Sequence, residues 1–252
     1  MKNGSRKLTW VECLWVIAVI AFLAAGLLPM LSGGGPSRGN MARSETHDLV
    51  SAIEAYYKVY GHMPVSAAVR QAAGAGDFTY GSIINSPAVP TPVGTLPGGQ
   101  VVLNSEVVAI LMDFTNFPGN PGQSTINTND CLNPQHILFL KAQLVSSAVL
   151  PRVGPDLVYR DPWGTPYFIT MDLNGDGRCV DAFYGKRAVS QRNATGAAGY
   201  NGLTNSVDAG GNGDHFLYQG RVMVWSAGPD QKINTETAAD AGENKDNIVS
   251  WR

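Results

Sequence analysis

The feature that most constrains this chain is an apolar stretch at residues 8–31, within which residues 13–31 carry no charge. At about 1.5 Å of rise per helical residue, that uncharged run of 19 residues approaches the roughly 30 Å thickness of a bilayer's hydrocarbon core. Lys2, Arg6 and Lys7 precede it with no acid among them. That asymmetry keeps the amino terminus cytoplasmic and exports the remainder. One carboxylate, Glu12, lies just inside the apolar boundary. A charge near hydrocarbon is costly and generally has a partner and a purpose.

Three readings compete for this segment. A cleaved signal peptide would use Ala24, Ala25 and Gly26 as its small-residue cleavage site. The apolar stretch continues past that site, however, and Glu12 interrupts the core. A plain membrane anchor accounts for the length and leaves Glu12 unexplained. The third reading rests on a resemblance: Leu8, Thr9, Trp10, Val11 and Glu12, followed by a long aliphatic run, resemble the class III signal of type IV pilins and type II secretion pseudopilins.

The resemblance implies that a prepilin peptidase cuts between Lys7 and Leu8 and leaves the helix on the mature protein. It places the family's acid on Glu12 and its helix-bending proline on Pro29. Pro in a helix interior removes a backbone hydrogen bond and bends the axis, which suits a helix that repacks from membrane to filament. Glu12 would neutralise the amino terminus of a neighbouring subunit, a charge-assisted contact in a low-dielectric bundle. Lys7 and Leu8 depart from the family's glycine and phenylalanine at the cut, and the nearest upstream glycine is Gly4. The implied partners are copies of this chain and other pilin-like subunits, the prepilin peptidase, an inner-membrane assembly platform and membrane lipid. The implied location is the inner membrane, with a single pass and a periplasmic or extracellular carboxyl-terminal domain.

The chain divides into a leader-like segment (1–7), the apolar helix (8–31), a Gly-rich hinge (32–40), an exported helix (41–64), an insertion (65–158) and a sheet with acidic loops (159–252). The fold class expected is α+β: an N-terminal transmembrane or pilin helix followed by a small antiparallel sheet packed on a helix, with a loop-rich insertion. In the hinge, each glycine costs about 1 kcal/mol and Pro36 about 3 kcal/mol in a helix interior. Leu49, Ile53, Tyr56, Tyr57 and Tyr60 recur at three- and four-residue steps and build one helical face. Gly61 and Pro64 then stop the helix. In the insertion, residues 65–100 give little signal, residues 105–114 return to helical spacing, residues 117–133 read as loop, and residues 134–147 read as a helix opened by Pro134.

Asp161, Pro162, Trp163 and Gly164 form a turn signature in which Asp caps, Pro presets φ and Gly permits a positive φ. With Pro166 and Tyr167 it is similar to the motif that opens the sheet of the major pseudopilin. Trp163 is expected to pack on the helix. Residues 167–171 and 221–226 read as strands, with residues 182–184 pairing back on the first.

Two acidic loops follow. Asp172, Asn174, Asp176 and Gly177, with Asp181 as a later ligand, match the first half of an EF-hand-type calcium loop, although Phe183 occupies the position of its glutamate. An ordinary Asn/Asp/Gly turn is the competing reading. The second loop lies between Ser226 and Trp251. Its resemblance to the calcium-binding end of the major pseudopilin carries ligand roles onto Asp230 and Asp246, with Asp240 or Glu243 available from a longer loop. The cofactor expected is therefore Ca2+.

The net charge of −2 and the 15% content of charged residues argue against nucleic-acid binding. Three cysteines are too few for a disulfide scaffold; with Cys13 in the apolar run, Cys131 and Cys179 remain as a candidate pair or as two separate small residues. His47 and His62 read as surface or cap residues, and His215 beside Asp214 as an isolated pair. No metalloprotease helix, Cys-x-x-Cys or phosphate-binding loop is present, so no enzyme is expected. The function expected is a filament subunit, the alternatives being an anchored calcium-binding module and a membrane-tethered hydrolase.

Overall fold

A 23-residue helix, α1 (Arg38–Tyr60), organises the computed structural model, which describes Trp10, residues 37–82, Leu96, and residues 100–193, 197–206 and 213–251. The chain separates into Met1–Ser37 and Arg38–Arg252, and the second unit holds every element below. Ala42, Leu49, Ala52, Ile53 and Tyr56 recur at helical steps along α1 and are buried. Gly61, at φ +73°, ends the helix, its N–H donating to the Tyr57 carbonyl at 2.8 Å. The helix begins earlier than the hinge reading expects, because Arg38, Gly39 and Asn40 are already helical. The glycine penalty belongs to helix interiors, and Gly39 stands in the first turn.

Two elements arise in the stretch that gave little signal: α2 (Ala67–Ala73) and strand β1 (Phe78–Tyr80). Ser66 caps α2 by accepting the Val69 N–H at 3.2 Å. Helix α3 (Ser105–Leu111) agrees with the periodicity. Residues expected as loop contain a hairpin of β2 (Asn116–Phe117) and β3 (Asn120–Ser124). Residues 134–147 are not helical. They pass the end of α3 in irregular backbone, where the Phe139 and Leu140 N–H groups both donate to the Leu111 carbonyl at 2.9 and 3.0 Å. Tertiary pairing and burial of Leu140 override the local helical pattern.

Then come β4 (Arg152–Val153), β5 (Tyr159–Arg160), β6 (Phe168–Met171), the one-turn α4 (Arg187–Ser190), β7 (Thr204–Asn205), β8 (Phe216–Leu217), β9 (Val222–Ser226) and β10 (Ile248–Val249). The central sheet is antiparallel in the order β1-β6-β9-β10. The fold is thus α+β with a small antiparallel sheet, as the sequence leads one to expect.

Burial on both sides matches the mostly apolar make-up of β6 and β9, in which Thr170 and Ser226 are the polar members. Ile169, Met171, Val222 and Val224 join the core that holds Leu49, Ile53 and Tyr56 of α1. Phe168, Met223 and Trp225 face a second core with Phe183, Tyr184 and Phe216. This is the two-residue alternation of a pleated strand with apolar cover on each face. Phe168 and Trp225 are cross-strand partners, their rings parallel within 6° and 3.8 Å apart. Residues 182–184 do not pair with β6, whose two edges are taken by β1 and β9; Phe183 and Tyr184 instead turn beneath the sheet.

Trp163 is half-buried and belongs to neither core, in contrast to its expected place against the helix. Tyr167 takes that role, donating its hydroxyl to Glu45 of α1 at 2.6 Å. Glu45 also pairs with Arg152 at 3.5 Å, and burial raises its pKa against the pull of Tyr167 and Arg152.

Candidate functional site

The carboxyl-terminal acidic loop is built on the end of β9. Ser226 closes that strand fully buried, and its hydroxyl donates to Asp161 at 2.5 Å. The other Asp161 oxygen accepts the N–H groups of Trp163 and Thr165 at 3.0 and 2.9 Å, so one carboxylate both caps the Asp161–Gly164 turn and moors it to β9. Burial raises the Asp161 pKa, with Ser226 and the turn amides opposing. Gly228 follows at φ +73°, its N–H donating to the Ser226 hydroxyl at 3.0 Å. A Cβ at Gly228 would collide with the Asp246 carbonyl, so glycine is required for the two ends of the loop to meet.

At that meeting point the Asp230 backbone N–H donates to the Asp246 carboxylate at 3.4 Å, while the Asp230 carboxylate accepts the Lys232 N–H at 2.9 Å. Burial raises the Asp230 pKa, with Asp246 and Glu243 adding to the effect and the Lys232 amide and ammonium opposing it. The long loop is fastened by Asn244, whose amide donates to the carbonyls of Asn234 and Thr237 at 2.8 and 2.6 Å. Glu243 accepts from Asn234 at 3.2 Å. Three buried polar atoms near the loop's end make no hydrogen bond among the described residues: Asp246 Oδ1, Asn247 Oδ1 and Trp251 Nε1. Two of the three are acceptors, and an unpartnered buried acceptor costs its full desolvation. A hard cation seeks such oxygens, although Asp230, Asp240, Glu243 and Asp246 do not gather three ligand atoms within 4.8 Å of one another.

The first acidic loop is organised differently. Asp172 spends its two oxygens on the Gly175 and Gly177 N–H groups, at 2.6 and 2.8 Å. Asn174 and Asp176 accept the N–H groups of Asp176 and Arg178. Asp77, from the segment before β1, accepts Leu173 and Val180 N–H at 3.3 and 2.7 Å. Asp181 lies in the second core, accepting from Thr170 at 2.5 Å, Trp225 Nε1 at 3.0 Å, and the Phe183 and Tyr184 N–H groups at 2.8 Å each. Asp172, Asp176 and Asp181 therefore do not converge on a common point. This loop is a self-satisfied turn, the competing reading of its sequence.

Glu12, Pro29, Lys7 and Leu8 lie outside the described residues. Among the described residues no helix is long and apolar enough to cross a membrane, and of residues 8–31 only Trp10 is described. Cys131 and Cys179 are both free thiols, one exposed and one buried, which corrects the candidate pairing. Cys179 is enclosed in the second core, while Cys131 stands on a surface loop with its thiol toward the Ile126 carbonyl.

One group escaped the sequence reading. Asp113, Asp130 and His136 place three donor atoms within 4.8 Å of one another. Their separation along the chain matches no short motif, and His136 lies in a stretch read as helix. No sequence signal marks it.

Comparison with protein-family models, with curated proteins and with solved structures finds no match to this chain.

Proposed function

We propose that this chain is a pilin-like subunit of a type II secretion or type IV pilus-like filament, anchored in the inner membrane by residues 8–31. The observation that carries the reading joins sequence to fold. An uncharged run interrupted only by Glu12 is followed by a helix whose apolar face packs on an antiparallel sheet. Glu45 and Tyr167 join that helix to the sheet beside the Asp161–Gly164 turn. A subunit of this kind bundles through its apolar helix, with Glu12 setting register against a neighbour's amino terminus and Pro29 bending the helix as it leaves the bilayer. Prepilin peptidase, an assembly platform, lipid and further pilin-like subunits are its partners. No catalytic role is assigned.

Calcium belongs to the same proposal. Asp230 and Asp246 would hold it, with Glu243 nearby, and the ion would supply the positive charge that the buried Asp246 and Asn247 oxygens lack. This orphaned pair of oxygens also favours the second reading, an anchored calcium-binding module without an assembly role.

One variant separates the two. Glu12→Ala in the full chain is expected to abolish filament recovery while leaving membrane insertion and the calcium response intact. Undiminished assembly would sink the filament reading and leave the anchored module. Mass spectrometry of the mature amino terminus gives an independent check: a start at Leu8 is expected, and an intact start or one after Gly26 counts against the family.

A further inference from the structure

We infer that Asp113, Asp130 and His136 form a binding site for a transition-metal dication of the Zn2+ class, separate from the carboxyl-terminal acidic loop and independent of filament assembly. The donors are mixed, one imidazole nitrogen and two carboxylates from different turns. His136 Nδ1 lies 3.1 Å from Asp113 Oδ2 and 3.6 Å from Asp130 Oδ1. Zinc bonds to nitrogen and oxygen near 2.0–2.1 Å, which separates tetrahedral donors by about 3.3–3.4 Å. The two distances straddle that edge.

Hydrogen bonding alone does not account for the arrangement. A ring nitrogen carries at most one proton, and that proton is satisfied by Asp113. Asp130 then faces the same nitrogen from beyond hydrogen-bond range. Neither carboxylate pairs with a lysine or arginine among the described residues. A dication held between the three groups would supply the positive charge that no lysine or arginine brings to them.

The support around the group is what a metal ligand receives. Asp113 Oδ1 accepts the side-chain amides of Asn133 and Asn127, at 3.0 and 3.4 Å, and both asparagines are fully buried. Asn133 is in turn fixed by the Tyr60 hydroxyl at 2.8 Å, at the end of α1. These contacts hold one oxygen of Asp113 from behind and leave the other toward His136, the usual way an outer shell orients a ligating carboxylate. Asp113, Asp130 and His136 all take left-handed backbone conformations, at φ 58°, 55° and 53°. Imidazole with carboxylates selects zinc-class metals over calcium or magnesium, which prefer all-oxygen shells. The His136 side chain is 62% exposed, so water completes the coordination and the ion exchanges with solvent.

The test uses the full chain in detergent, stripped of metal and titrated with Zn2+ by calorimetry and with Co2+ by visible absorption. One Zn2+ per chain and a four-coordinate Co2+ spectrum are expected. His136→Ala and Asp130→Asn should each weaken Zn2+ binding at least tenfold, with the far-ultraviolet circular dichroism unchanged. Because His136 is exposed, its truncation leaves the core intact, and Asp130→Asn preserves shape if it does not. Cys131→Ser should leave the affinity alone, and Asp246→Asn should affect calcium only. Zinc binding that survives both His136→Ala and Asp130→Asn, or that is lost with Cys131→Ser instead, would overturn the assignment, as would the absence of stoichiometric binding. None of these readouts depends on whether the chain assembles.

Discussion

The loops at residues 172–181 and 228–246 are written in the same alphabet of Asp, Asn and Gly, and they fold to opposite ends. In the first, each side chain named by the calcium pattern accepts an N–H of the loop itself or a donor of the sheet. In the second, Asp230 and Asp246 come together while acceptors of Asp246 and Asn247 stay buried and unpartnered. Composition signals that acidic side chains are present. What they become depends on whether the backbone turns its own amides toward them.

The largest effect that would test this contrast lies in the first loop. Asp181→Ala removes the acceptor of four donors, those of Thr170, Trp225, Phe183 and Tyr184. Leaving buried donors unmade costs roughly 1–3 kcal/mol each before water enters, so a loss of about 4 kcal/mol is expected in urea unfolding. A loss under about 1 kcal/mol would show that the loop is not closed by this carboxylate.

Calcium should discriminate the loops at an intermediate scale. At a hundredfold excess over the dissociation constant, a site confined to the folded state adds about 2.7 kcal/mol of stability. That gain should vanish in Asp246→Asn and persist in Asp172→Asn. Loss of the gain in Asp172→Asn alone would reverse the comparison.

The third effect is a pH slope. Burial raises the Asp77 carboxyl to about 6 in the fold, with Val180 and Leu173 N–H groups opposing and Asp172 and Asp176 adding to it. An acid whose folded pKa lies above its unfolded value, about 3.9, stabilises the fold most when protonated. Stability therefore falls as pH rises from about 4 to 6. In Asp77→Asn this part of the slope should disappear from thermal melts across that window; an unchanged slope would assign it to another group.

Much of the frame was legible before the fold. The spacing of Leu49, Ile53 and Tyr56, with Gly61 after it, marks a helix by purely local chemistry, and α1 agrees. The apolar runs around Ile169 and Val224 mark strands for the same reason. Residues 134–147 misled because their apolar spacing fits a helix, while the Leu111 carbonyl at the end of α3 captures the Phe139 and Leu140 amides in irregular backbone. Strand β1 was hidden because a three-residue edge strand carries too little pattern, and only pairing with β6 defines it. His136 was hidden among unremarkable neighbours, since its meaning comes from Asp113 and Asp130.

The sequence by itself determined the class of the fold, the face of α1 that packs on the sheet and the two stretches where acidic side chains gather in loops. Those properties follow from side-chain chemistry and short-range periodicity. The tertiary structure alone decided which acids remain available. It turned Asp172 onto its own loop, sent Asp181 into the core, left Asp246 with an unpartnered oxygen and drew Asp113, Asp130 and His136 together. A carboxylate's role is set by the donors that reach it, and those donors arrive from turns far away in the chain.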